Sequence, residues 1–230
     1  MRLRRSHIGL VLFPAILVAG AAPVHAQLAF SASAESDYRF RGLSLSHGQP
    51  DVRLNVSYDH RSGAYAGLSL IGADDDNRGL RLLGYVDYAG YVVRPEKGPA
   101  WEVGATNMHV HGRYSYDFTE VYAGVAGEHI SLRLSYAPHY FGRNWDNLYV
   151  DLSGGRRLST HWRAFAHAGV ATPLNGPFRE ERYDFSAGVA VSVRTYEIKM
   201  ALTRTNPVPD YPDRPIDNGD GLLVTATAFF

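Results

Sequence analysis

Twelve segments of the chain alternate apolar and polar side chains with a period of two. The segments are 30–41, 52–59, 64–71, 80–92, 101–106, 120–125, 130–136, 148–153, 162–170, 185–194, 196–203 and 222–230. Successive side chains of a β-strand point to opposite faces of the sheet, so each segment predicts a strand with one apolar and one polar face. An even number of such strands is typical of single-chain barrels of bacterial outer membranes.

The connections between these segments fall into two classes by length. The short set consists of 60–63, 94–99, 126–128, 155–160 and 194–195. The long set is rich in Gly, Asp, Asn and Pro and consists of 42–50, 73–79, 109–117, 138–146, 172–183 and 205–221. Short periplasmic turns and long outer loops are typical of outer-membrane barrels. A soluble secreted sandwich, the alternative fold, gives no reason for this asymmetry.

A sheet in lipid cannot leave an edge strand unpaired, because its free N–H and C=O groups would find no water. We therefore predict an all-β fold, a transmembrane antiparallel up-and-down β-barrel of twelve strands. The final segment ends on Phe230, which resembles the C-terminal aromatic signature of outer-membrane barrels. From it we expect the barrel-assembly machinery to be a partner, together with the lipid bilayer of the outer membrane.

The first 26 residues have the three parts of a secretory signal peptide. Arg2, Arg4 and Arg5 form a basic start, residues 8–22 are mostly apolar, and Val24-His25-Ala26 is a small-x-small cleavage site. We predict cleavage after Ala26, so that 1–26 is the signal peptide and 27–230 is one barrel domain in the bacterial outer membrane.

The composition excludes several functional classes. The chain has no cysteine, which rules out disulfides, cysteine zinc clusters and thiol chemistry. Its 23 basic residues are matched by 23 acidic ones, and three of the basic ones lie in the signal segment, so nucleic-acid binding is not expected. No motif indicates a cofactor or a catalytic centre, and we expect no enzyme activity.

The polar faces of the segments carry charges of both signs. An Arg facing lipid at mid-depth would cost about 2–4 kcal/mol, so these charges are expected to face the inside. The predicted lumen-lining residues are Glu35, Asp37, Arg39, Arg41, Arg53, Asp87, Glu102, Glu120, Arg133, Asp151 and Arg163. Asp37, Arg39 and Arg41 share one face of the first segment. They either form a charged constriction or brace the barrel through internal salt bridges.

Residues 37–67, with the sequence DYRFRGLSLSHGQPDVRLNVSYDHRSGAYAG, resemble the N-terminal signature of the TorF porin family. The opening motif extends from Ser36 to Ser44, and weaker matches follow at 84–91, 117–125, 131–142 and 147–155. The resemblance covers most of the chain after the signal segment. It implies an outer-membrane barrel with channel activity, and no catalytic residue or cofactor.

Three functions are compatible with these patterns. The first is a porin that passes small hydrophilic solutes or ions through a charged lumen. The second is a closed structural or binding barrel that engages a partner through 138–146 or 205–221. The third, a lipid-modifying enzyme, is disfavoured because His129 and Ser131 lie too far apart along a strand for a direct hydrogen bond. A metal at His109 and His111 is disfavoured because no third ligand has suitable spacing.

Overall fold

A computed structural model describes residues 27–74, 79–110, 117–176, 180–206 and 220–230 of the chain. The signal segment and its cleavage site lie outside these residues. The strands are β1 (Gln27–Glu35), β2 (Arg39–Phe40), β3 (Leu43–Ser44), β4 (Asp51–Asp59), β5 (Ala64–Asp74), β6 (Leu80–Val93), β7 (Ala100–Val110), β8 (Phe118–Ala126), β9 (Ile130–Ala137), β10 (Asn147–Arg157), β11 (Trp162–Pro173), β12 (Arg182–Val193), β13 (Tyr196–Thr205) and β14 (Gly221–Phe229). A single 3₁₀ turn, Tyr140–Gly142, lies between β9 and β10.

Twelve of these strands close into one antiparallel barrel. Its order is β1-β14-β13-β12-β11-β10-β9-β8-β7-β6-β5-β4, and β4 pairs with β1. The seam between first and last strands runs from Ser31 opposite Phe229 to Glu35 opposite Thr225. The predicted twelve-strand up-and-down barrel is therefore confirmed. Among the described residues, no helix has the length and apolar character needed to cross a bilayer.

The outward face of the barrel is apolar. Alternate residues of the strands expose large aliphatic side chains, among them Leu28, Leu54, Leu70, Val103, Val121, Leu132, Leu152, Phe185, Ile198 and Leu222. Exposed aromatic rings lie near the short-turn end at Tyr58, Tyr91, Trp101, Trp162 and Tyr196. Two more, Tyr136 and Tyr183, lie near the long-loop end. An apolar band bordered by aromatic rings is the outer surface of a transmembrane barrel.

The first predicted strand, 30–41, is wrong in its second half. β1 ends at Glu35, and residues 36–50, which we call the inward hairpin, turn into the lumen. Arg41 has a φ of 49° and Gly42 a φ of 79°, so the chain reverses at this point between β2 and β3. The side chains of 36–41 alternate as in a strand, but Arg41-Gly42 forms a turn that a barrel strand cannot contain.

The expected inward position of Asp87 is also wrong. The pairing of β5 with β6 shifts register between Ile71 and Gly72, so β6 carries one extra residue. After this bulge, Asp87 has the same orientation as the outward-facing Tyr91 and Val93. On the outward face Asp87 accepts a hydrogen bond of 3.0 Å from the amide of Asn107. One inserted residue inverts every later side chain of a strand, because the period is two.

Candidate functional site in the lumen

The inward hairpin crosses the lumen from the β1–β4 side to the opposite side. Its Arg41 guanidinium pairs with Glu120 on β8 at 2.5 Å, five strands around the barrel from β1. In the other direction, the hydroxyl of Thr205 on β13 donates a 3.1 Å hydrogen bond to the Gly42 carbonyl. A Cβ at Gly42 would lie 2.0 Å from that hydroxyl oxygen. The tip of the hairpin is therefore held against two sides of the barrel.

Hydrogen bonds within the hairpin fix its shape. The Asp37 carboxylate accepts hydrogen bonds from the hydroxyls of Ser44 at 2.5 Å and Ser46 at 3.0 Å, and it pairs with Arg39 at 2.6 Å. The Ser46 hydroxyl in turn accepts a 2.9 Å hydrogen bond from the backbone N–H of Tyr38. Burial, helped by the charge of Asp51, raises the pKa of Tyr38 above its usual value. The hairpin is thus a folded unit inside the barrel.

Arg41 is held among aromatic rings as well as by Glu120. Its guanidinium carbon lies 4.0 Å from the ring centre of Tyr149 and 4.7 Å from that of Phe40. Burial is the largest single influence on the pKa of Arg41 and lowers it, but Glu120, Tyr140 and Tyr149 together raise it, so the pKa lies above its ordinary value. Arg41 is therefore a fixed positive charge inside the barrel.

An apolar cluster fills the barrel beside the hairpin at the long-loop end. Its buried members are Tyr38, Leu43, Leu45, Ile71, Met108, Val110, Phe118, Ala137, Tyr140, Phe141 and Trp145. The hairpin and the 138–146 connection supply six of them, and β5, β7, β8 and β9 supply the other five. We call β5–β9 the first wall of the barrel and β10–β14 the second wall. The cluster attaches the hairpin to the first wall.

On the short-turn side of this cluster, the first wall carries a tightly paired polar network. Glu102 on β7 pairs with Arg133 on β9, whose Nε is 2.8 Å from the carboxylate. The hydroxyl of Tyr65 donates to Glu102 at 3.2 Å and lies 2.8 Å from that of Tyr122. Arg133 also lies over the ring of Tyr122, at 4.4 Å. Each charge in this network therefore has a partner in direct contact.

Glycines on neighbouring strands make room for these tyrosines. A Cβ at Gly104 would lie 2.4 Å from the Tyr122 hydroxyl and 2.6 Å from the Ala89 carbonyl. A Cβ at Gly90 would lie 2.5 Å from the Tyr65 ring. The aromatic rings therefore lie flat against the inner surface of the barrel instead of pointing along its axis.

The second wall carries a different network around His167 on β11. One ring nitrogen of His167 lies 2.9 Å from Asp151 and the other lies 2.7 Å from Asp184. The hydroxyl of Tyr149 donates to Asp184 at 3.1 Å, and the Ser153 hydroxyl lies 3.2 Å from the first ring nitrogen. Because both ring nitrogens face carboxylates, this histidine is bound as a bridge between two strands and is not free to act as a base.

Most of the predicted lumen residues lie on the inner face or in the hairpin. Arg53 pairs with Glu35, and Arg163 pairs with Glu197 at 3.5 Å. Asp87 alone among the predicted residues faces outward. Whether the others line a conducting path stays a prediction. Alternation also identifies inward charged or titratable residues that the prediction omitted, namely Asp51, His167, Arg182, Asp184, Glu197 and Lys199.

The contacts of the described residues do not support a metal site at His109 or a catalytic pair of His129 and Ser131. The outward-facing His109 lies against Tyr85, with ring centres 4.8 Å apart, and His111 is outside the described residues. His129 is 3.8 Å from Glu128, whereas the Ser131 hydroxyl donates to the Ser153 carbonyl at 3.5 Å. These two residues therefore have different partners. Within the described ranges, no group of three or more His, Cys, Asp or Glu residues could hold a metal ion.

The family described as "Bacterial protein of unknown function (Gcw_chp)" matches residues 19–212. The chain belongs to this family. No curated protein sequence matches it significantly. Its family membership therefore names no activity.

Solved structures resemble the barrel at low sequence identity. The NanC porin has a TM-score of 0.59 at 10% identity, over 89% of this chain and 100% of that one. The KdgM porin has a TM-score of 0.52 at 10% identity, over 88% and 98%. The COG4313 outer membrane channel from Pseudomonas putida F1 has a TM-score of 0.50 at 12% identity, over 91% and 97%. The likeness establishes a shared barrel fold.

Proposed function

We propose that this chain is an outer-membrane porin that passes small hydrophilic solutes or ions through its lumen. One observation carries the proposal: the inner face of a closed transmembrane barrel bears charges and hydroxyls on every side, while its outer face is apolar. A barrel filled only for stability would need no such inner face, because buried charges cost free energy unless they are paired or wet.

Two likenesses support this proposal. The structures that the barrel resembles are named as porins or channels. The resemblance of residues 37–67 to the TorF porin family points the same way. In this proposal the first 26 residues are a signal peptide cleaved after Ala26, residues 27–230 are the barrel domain, and Phe230 is read by the barrel-assembly machinery. The barrel is embedded in the lipid bilayer of the outer membrane. We assign it no catalytic activity.

The inward hairpin is the proposed constriction. It spans the lumen between Glu120 and Thr205, and it carries Arg41 as a fixed charge in the path. The sequence left two roles open for Asp37, Arg39 and Arg41, a charged constriction and an internal brace, and the proposed hairpin combines them. Asp37 and Arg39 brace the hairpin itself, and Arg41 places a charge at its tip.

A liposome-swelling assay tests the proposal. Liposomes that contain the refolded chain should swell in solutions of small neutral sugars, and the rate should fall as sugar size increases. Liposomes that contain the heat-unfolded chain are the control. Swelling that is equal in the two preparations would contradict porin activity.

A second candidate is a closed binding barrel, and the apolar cluster at the long-loop end favours it. The cluster attaches the hairpin to the first wall through Phe118, Tyr140 and Phe141, whose ring centres lie 4.1–5.5 Å apart. If the hairpin seals the lumen, the wild type should not swell liposomes, whereas a variant with 39–45 replaced by a Gly-Ser linker should do so.

A further inference from the structure

Lys199 on β13 is an inward-facing lysine without a carboxylate in contact. Lys199 is only 8% exposed, yet its ammonium group forms no ion pair within 4 Å among the described residues. The nearest acidic side chain on its own strand is Glu197, which is already bound by Arg163 at 3.5 Å and by the Ser192 hydroxyl at 2.9 Å. An enclosed ammonium group without a partner must keep water or take an anion.

The strand register places Lys199 in a row of cations on the second wall. Lys199 lies opposite Ala190 on β12, Ala190 lies opposite Arg163 on β11, and Arg163 lies opposite Arg157 on β10. With about 4.8 Å between neighbouring strands, the Cα atoms of Lys199 and Arg163 are about 10 Å apart. Side chains of this length can therefore approach the same bound ion.

Exposure increases along this row towards the short-turn end. Lys199 is enclosed, the Arg163 side chain is 35% exposed, and Arg157 at the end of β10 is exposed. The row therefore leads from the short-turn mouth into the barrel. On the side facing away from Arg163, Lys199 is opposite Thr225 on β14, and Thr227 is two residues further along; both are buried inward-facing hydroxyl residues.

The carboxylates near this row do not cancel it. Glu197 is engaged by Arg163, and Glu35 is engaged by Arg53 on β4. Asp51 lies at the long-loop end of β4, 3.4 Å from Arg53. Lys199 and Arg157 remain as cations without an ion pair among the described residues. This arrangement differs from the first wall and the hairpin, where Arg133 and Arg41, respectively, contact a carboxylate directly.

We propose that Lys199, Arg163 and the hydroxyls of Thr225 and Thr227 form an anion site on the second wall, which makes the pore prefer small anions bearing carboxylate or phosphate groups. The inference rests on the proposed porin function. It adds that the preferred solutes are anions and that Lys199 determines this preference. Arg157 at the mouth steers anions towards the site.

The test is the zero-current potential of the full chain in planar bilayers under a KCl gradient. The wild type should prefer chloride, and Lys199→Met should reduce the chloride-to-potassium preference by up to about fivefold, the effect of one unit charge about 4 Å from the ion in water. Lys199→Arg should retain the preference. Lys97→Met is the matched control, because Lys97 is exposed between β6 and β7 and is the only other lysine of the chain.

Equal zero-current potentials for wild type, Lys199→Met and Lys97→Met would overturn the inference while leaving porin activity intact. A second measurement does not need conduction. In the Lys97→Arg variant, Lys199 is the only lysine, and its labelling by an amine-reactive reagent is followed by mass spectrometry. Millimolar citrate should slow this labelling severalfold. Unprotected labelling, or no labelling without citrate, would contradict the anion site even if the wild type carries no current.

Discussion

The first wall and the short-turn half of the second wall use their inward charges in opposite ways, whereas the long-loop half of the second wall holds the paired Asp151, His167 and Asp184. On the first wall, Arg133 and Glu102 are in direct contact, their side chains are 7% and 6% exposed, and two tyrosine hydroxyls complete the network. On the second wall, Arg163 and Glu197 are 3.5 Å apart, and no carboxylate of the described residues contacts Lys199. The apolar cluster also packs on the first wall. The difference suggests that the first wall stabilises the barrel and that the short-turn half of the second wall meets the solute.

The largest expected effect comes from removing the hairpin that the first wall holds. With residues 39–45 replaced by a Gly-Ser linker, single-channel conductance should rise severalfold, because the hairpin crosses the lumen between Glu120 and Thr205. Planar-bilayer recording measures the change. The heat-dependent gel mobility of the variant shows whether the barrel still closes. An unchanged conductance in a closed barrel would show that the constriction lies elsewhere.

A matched pair of substitutions compares the ion pairs of the two walls. Glu120→Gln should lower the free energy of unfolding by about 3 kcal/mol, because it leaves the buried Arg41 guanidinium without its counter-charge. Glu197→Gln should cost about 1 kcal/mol or less, because Arg163 is one-third exposed and keeps water. Urea titration of both variants in lipid vesicles gives the two values. Equal losses would remove the distinction between the walls.

Two glycine substitutions compare a tightly enclosed position on the first wall with a more open one on the second wall. Gly104→Ala should cost about 1–3 kcal/mol, because its new methyl group would lie 2.4 Å from Tyr122 and 2.6 Å from the Ala89 carbonyl. Gly155→Ala on β10 should cost less, because its closest neighbour would be the Ala164 carbonyl at 3.2 Å. The same urea titration measures both. A larger loss for Gly155→Ala would contradict the tighter space around Gly104.

The smallest expected effect is the loss of one hydroxyl from the first-wall network. Tyr65→Phe should lower the free energy of unfolding by about 1 kcal/mol, because Tyr65 bonds both Glu102 and Tyr122. Tyr196→Phe is the control, since Tyr196 is exposed on the outer surface near the short-turn end. If the two variants lose the same free energy, the Tyr65 hydrogen bonds contribute nothing specific.

The barrel itself was predictable from the sequence, because period-two alternation records which face of each strand meets lipid. That alternation also places Glu102, Glu120 and Arg133 inside. Two features escaped it for physical reasons. Residues 36–41 alternate like a strand but turn at Arg41-Gly42, and a one-residue bulge in β6 moves Asp87 outward. The alternation of apolar and polar residues alone reveals neither the turn in the first segment nor the bulge in β6.

The pairing of charges across the lumen was not predictable, because it depends on strands far apart in the chain. Arg41 and Glu120 meet only after the hairpin folds inward. Lys199 alternates with Ile198 and Met200, which already indicated an inward side chain. Only the folded barrel shows that no carboxylate within the described ranges contacts it.

The most direct test of the central claim is single-channel recording of the wild-type chain in a planar bilayer. We expect discrete current steps above the lipid baseline, carried by solute ions that pass the hairpin inside the barrel. No steps from a barrel shown to be folded, both in the wild type and after replacement of residues 39–45, would contradict it.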